Sequence, residues 1–126
     1  MRFHRSSLHW GVISELLTAL RAALPGAQIR LLDATPVIGG RSVADRPRAL
    51  PPPAQVTLRL LISAAGETDY EAALRELMAS PVVSLDEHSV RLTITPATLE
   101  EKARLWLALA LPYEPCILVE AGPVAI

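Results

Sequence analysis

Residues 95–126, TPATLEEKARLWLALALPYEPCILVEAGPVAI, constrain the fold more than any other stretch of this chain. Thr98-Leu99-Glu100-Glu101 has the spacing of a capping box. The Thr98 hydroxyl can accept from the Glu101 N–H, and the Glu101 carboxylate can reach back to the Thr98 N–H. Leu99, Ala103, Trp106 and Ala110 follow at helical spacing, and Leu105 and Leu109 widen the apolar face. Glu100 precedes Arg104 by four residues, the favourable order for a surface pair. Residues 105–111 are all apolar, so this end of the helix is expected to be buried, in the core or under another subunit. Pro112 stops the helix, and Tyr113-Glu114-Pro115 turns the chain into Cys116-Ile117-Leu118-Val119, a run that suits a buried strand.

The rest of the chain supplies elements for that end to pack on. Leu8, Val12, Leu16, Leu20 and Ala23 recur at helical spacing with Ile13, Leu17 and Leu24 beside them, and Ser6 or Ser7 can cap this helix. Pro25-Gly26 ends it, and residues 29–32 read as a short strand with Arg30 pointing away from Ile29 and Leu31. Residues 55–64 are the clearest strand. Val56, Leu58, Leu60 and Ile62 face one side, while Gln55, Thr57, Arg59 and Ser63 face the other, with Leu61 the exception. Thr68-Asp69-Tyr70-Glu71 has the spacing of a second capping box, ahead of a short helix buried through Tyr70, Ala73, Leu74, Leu77 and Met78. Residues 82–85 and 89–95 then read as a hairpin around Asp86-Glu87-His88.

The expected fold is therefore a single α/β (α+β) domain over residues 1–126: a small mixed β-sheet with about three helices packed on one face. At 126 residues the chain can bury a real core, and with 51% hydrophobic but 4% aromatic residues that core is aliphatic. The net charge of −1 argues against nucleic-acid binding through a basic surface. No apolar run approaches the roughly 18 residues of a membrane span. Arg2 and Arg5 precede an apolar stretch, but Glu15 and Arg21 interrupt it, so it reads as an amphipathic helix rather than a targeting signal.

Few residues announce chemistry. His4 and His9 are five apart, on different helix faces, and His88 stands in a polar turn; no metal site is expected. Gly39-Gly40-Arg41-Ser42 lacks the lysine of a phosphate loop, and there is no nucleophile elbow. The single cysteine, Cys116, reads as a small buried hydrophobe. No cofactor is expected, and the chain reads as a non-enzyme.

Surface for contact is more visible. Residues 35–53 form a long irregular stretch with five prolines and with Arg41, Arg46 and Arg48 against Asp45. A loop of this length is either a solvated excursion or a contact arm. The chain closes on apolar residues, Val124 and Ile126 among them, where a terminus is normally polar. Arg41, Arg46, Arg48, Val124 and Ile126 are the expected subunit or partner contacts.

One resemblance gives these features a role. The Thr98-Leu99-Glu100-Glu101 helix start, the Leu105-Trp106 pair, Pro112-Tyr113-x-Pro115 and the closing apolar strand resemble the end of the tail-terminator or cap proteins of contractile injection systems, phage-tail-like particles made by bacteria. The resemblance extends more weakly through Leu50-Pro51-Pro52-Pro53, the strand at residues 56–62, the helix at 70–78 and Ser80-Pro81-Val82. It implies a tail-terminator-like fold in which Leu99, Trp106, Tyr113 and Pro115 pack. It further implies a homo-oligomeric, six-membered ring that ends the inner tube and anchors the last sheath layer. The tube protein and the sheath protein would be the partners. The subunit would reside in the bacterial cytoplasm during assembly, then in a particle that is released or stays inside the cell. The chain is short for that family and its stretch before Leu50 is reduced, which leaves open whether it meets tube, sheath or both. Two other readings compete: a small-ligand-binding regulatory α/β domain, which would gain thermal stability from its ligand, and an enzyme subunit whose active site lies at an interface.

Overall fold

The computed structural model describes residues 2–37, 55–85 and 89–125. In chain order they form α1 (Arg2–Ala23), β1 (Gln28–Pro36), β2 (Gln55–Ser63), α2 (Glu67–Ala79), β3 (Val82–Ser84), β4 (Ser89–Thr95), α3 (Leu99–Leu109) and β5 (Cys116–Ala125). The five strands make one sheet in the order β1-β2-β5-β4-β3. The fold is α+β, as expected. Every neighbouring pair in the sheet is antiparallel, however, so the sheet is not mixed.

The C-terminal strand sits in the middle. β5 pairs with β2 through Leu60↔Val119 and Ile62↔Ile117, and with β4 through Leu92↔Ala121 and Ile94↔Val119. Its 10 residues therefore join two halves that are otherwise separate, the β1–β2 pair and the β3–β4 hairpin. In β5 the register slips by one residue opposite Val56 and Leu58, at Gly122-Pro123, where the peptide bond is cis. Gly122 has φ +133°, and a Cβ there would lie 3.0 Å from the Val56 carbonyl oxygen and 3.1 Å from the Val124 nitrogen. A side chain is disfavoured at this position by both the backbone conformation and the close approach of the neighbouring strand.

The helices do not share one face. α1 and α2 cover one side of the sheet, and Ile13, Leu16, Leu20, Leu24, Ala73 and Leu77 pack there against Val56, Leu58, Leu60, Ile62, Val90, Ile117 and Val119. α3 lies on the opposite side, where Trp106 packs on Leu61 and Cys116, flanked by Leu32, Leu105, Leu109 and Leu118. Leu61, the apolar exception on the polar face of β2, is fully buried because it is the floor on which α3 lands. The extra residue of β1, Leu32, sits at a register shift between Leu31 and Asp33 and adds to the same cluster.

Four local readings need correction. Met78, expected in the buried stripe of α2, is exposed. α1 begins at Arg2, so Ser6 and Ser7 lie within the helix rather than at its cap. α2 begins at Glu67 with Gly66 as N-cap and no side-chain cap bond; the Tyr70 N–H already donates to the Gly66 carbonyl at 3.0 Å, so the second capping box does not form. β1 runs through Pro36, well past residue 32, because β2 pairs with it along its whole length, as far as Pro36↔Val56.

Candidate interaction surface

α3 is positioned by its ends. At its start the Glu101 N–H donates to the Thr98 hydroxyl at 3.1 Å, and the Thr98 N–H donates to the Glu101 carboxylate at 2.8 Å. The bond from the Thr98 N–H is the first cause holding the Glu101 carboxyl below the usual carboxylate range, and the Thr98 side chain is the second. At its end Ala110 turns left-handed, with φ 59°, and its N–H donates to the Leu107 carbonyl at 3.0 Å. The helix thus stops short of Pro112, and residues 110–115 swing Tyr113 back beside Trp106, with ring centroids 6.2 Å apart and planes 59° to each other.

Docking this helix on the sheet splits the apolar run at residues 105–111. Trp106 is 2% exposed, and Leu105 and Leu109 are half-buried against Leu61. Leu107, by contrast, is 80% exposed, and Leu99, one helical face away from the sheet, is 69% exposed. Leu99, Ala103, Trp106, Leu107, Leu111 and Tyr113 line an open hollow of about 420 Å³. Core burial of this end therefore holds for its inner face; its outer face is exposed on the single chain, where burial under another subunit is the alternative that would cover it. A helix packed on one side against a sheet has a second side, and here that side is also apolar.

A cation lies over the Trp106 ring, which is one wall of the hollow. The Arg30 guanidinium lies 5.4 Å from the centroid of the Trp106 ring, a contact worth roughly 1 kcal/mol where it is partly desolvated. Arg30 also donates from Nη1 to the Ser63 hydroxyl at 3.2 Å and from Nη2 to the Gln28 side-chain oxygen at 2.7 Å. The buried Ser63 is thereby satisfied, and the Trp106 indole N–H reaches the Cys116 Sγ at 3.3 Å, so the polar atoms beneath α3 are accounted for. Desolvation raises the Tyr113 phenol above its ordinary value, with Cys116 a lesser cause. On the outward flank of α3, Arg104 and Glu100 form an exposed ion pair at 2.8 Å, worth little by itself.

The residues singled out from sequence divide sharply. Val124 is 1% exposed, in the core against the α1–α2 side and opposite Val56 in the register. Val124 packs on its own sheet, and its side chain offers no surface to a partner. Arg41, Arg46, Arg48 and Ile126 lie outside the described residues. Trp106 packs, and Pro115 is half-buried with its carbonyl accepting from the Ala64 N–H at 3.2 Å. Leu99 and Tyr113, expected to pack, are instead exposed at the hollow, Tyr113 by 47%. Arg30 was legible as a residue on the opposite face from Ile29 and Leu31, but nothing in the sequence tied it to Trp106. Its signal was the pairing of that face with Leu61.

Two smaller hollows lie on the other side, between α1 and α2 or β3. One is of about 210 Å³ beside Gly26 and Asp69, the other of about 130 Å³ beside Leu20 and Leu92. Among the described residues there is no cluster of three metal-ligating side chains, and no helix is long and apolar enough to cross a membrane. No protein-family model matches the chain, and no curated protein sequence does either.

Proposed function

We propose that this chain is the structural cap subunit of a bacterial contractile injection particle, acting through protein contact rather than turnover. The observation that carries the reading is the outer face of α3. Leu99, Leu107, Leu111 and Tyr113 stand exposed together on a helix whose inner face is already committed to the sheet. Apolar residues grouped in this way are costly in water and are relieved by a partner. The Thr98–Glu101 helix start, Trp106 of the Leu105-Trp106 pair and Tyr113 of Pro112-Tyr113-x-Pro115, which belong to the resemblance to the cap family, also build this face.

In this reading several copies, six by the family's pattern, close into a ring on the end of the inner tube and hold the last layer of sheath. Head-to-tail closure requires two different patches on each subunit. The α3 face supplies one, and the arginine-bearing stretch with Arg41, Arg46 and Arg48 is the proposed second. A stacked tube grows while its last ring presents an unpaired contact surface; a subunit that binds that surface without presenting another like it ends growth. Assembly would take place in the bacterial cytoplasm. The length distribution of particles from cells lacking this chain tests the proposal. Loss of the cap should leave overlong or ragged tubes with loosened sheath ends, and particles of unchanged length with intact ends would contradict it.

A further inference from the structure

We infer that Arg30 and the α3 hollow form one recognition site for a partner-protein segment that carries an aspartate or glutamate next to an apolar side chain. The inference deepens the contact surface proposed above and rests on that face being one. Arg30 is a fixed cation. Its fork is held by Ser63 and Gln28, and its central carbon lies over Trp106, so little freedom is lost when a ligand arrives. Both acceptors it has are neutral. A guanidinium has five N–H donors, and no carboxylate among the described residues lies in an ion pair with this one. The remaining donors match a carboxylate, which a guanidinium binds through two parallel bonds.

Trp106 joins the two halves of the site. Arg30 lies over its ring, and the same residue forms a wall of the hollow with Leu99, Ala103, Leu107, Leu111 and Tyr113. A ligand that fills the hollow and reaches Arg30 must therefore hold its apolar group and its anion within roughly two residues of each other, about 7 Å of extended chain. The surroundings favour a single negative charge over a polyanion. Glu100 and Glu101 open α3, Glu114 follows Tyr113, and the whole chain carries net charge −1.

The test uses the full chain labelled with ¹⁵N, and two probes of equal shape, 4-phenylbutyrate and 4-phenylbutyramide. The indole N–H of Trp106, distinguished from that of Trp10 by a Trp10→Phe variant, reports occupancy. The acid should give a saturable shift at Trp106, and the amide should bind roughly ten-fold more weakly, as expected for loss of a charged hydrogen-bonded pair. Arg30→Gln should reduce the acid to the level of the amide, Arg30→Lys should keep part of the preference, and Leu107→Glu should weaken both probes. Equal binding of acid and amide, a preference that survives Arg30→Gln, or no saturable shift with either probe would overturn the inference. None of these outcomes depends on tube or sheath, so the result stands apart from the fate of the cap reading.

Discussion

Thr98 and Glu101 show how much one local motif decides. Their reciprocal bonds satisfy two backbone donors at the start of α3, and Thr98→Ala should destabilise the chain by about 1 kcal/mol in urea unfolding. The pH dependence follows from the lowered Glu101 carboxyl. A carboxyl whose folded value is depressed contributes fully above its unfolded value, near 4.5, and loses that contribution as pH falls through the folded value. The stability difference between the parent chain and Glu101→Gln should therefore be greatest at neutral pH and shrink below about pH 4.5. A difference that stays constant down to pH 3 would show that the carboxylate is not held by the cap. Gly122 is the other single position, one that disfavours any side chain. With φ +133° and a carbonyl 3.0 Å from any added Cβ, Gly122→Ala should cost about 1–3 kcal/mol.

At the scale of elements, the sequence reading succeeded where periodicity has one cause and failed where two partners compete for a segment. The alternation in β2 marked its core face correctly, and its one exception, Leu61, was the landing site of α3. A lone apolar residue on a polar face does not say what will cover it, so α3 was expected beside α1 and α2 and lies opposite them. The second capping box failed because α2 closes its first turn on Gly66 before Thr68 can serve as a cap. The apolar run at residues 105–111 reads as buried in the core or under another subunit, and a helix on a sheet buries one side in the core, leaving Leu107 and Leu111 outside it. Trp106 anchors that inner side, and Trp106→Ala should cost about 3–5 kcal/mol, measured by chemical denaturation, while freeing α3 from the sheet.

The whole molecule is a sheet between two unequal layers, with its last strand at the centre. Because β5 joins the β1–β2 pair to the β3–β4 hairpin, a chain ending before Cys116 should not fold, and circular dichroism with amide exchange would show it. The same topology explains why Val124 is buried: β5 carries it opposite Val56, into the core. Among the described residues, the outer α3 layer is the surface proposed for a partner. Leu107→Glu should leave stability within about 0.5 kcal/mol of the parent chain, as befits a surface change, and remove partner capture. The most direct measurement is recovery of the chain, tagged at its N-terminus, from its native cells. Mass spectrometry would identify the captured proteins, and electron microscopy would locate the tag, with the Leu107→Glu chain in parallel. The account predicts tube and sheath proteins with the parent chain, label at one end of each particle, and loss of both with Leu107→Glu. Recovery of the parent chain without tube or sheath would contradict it.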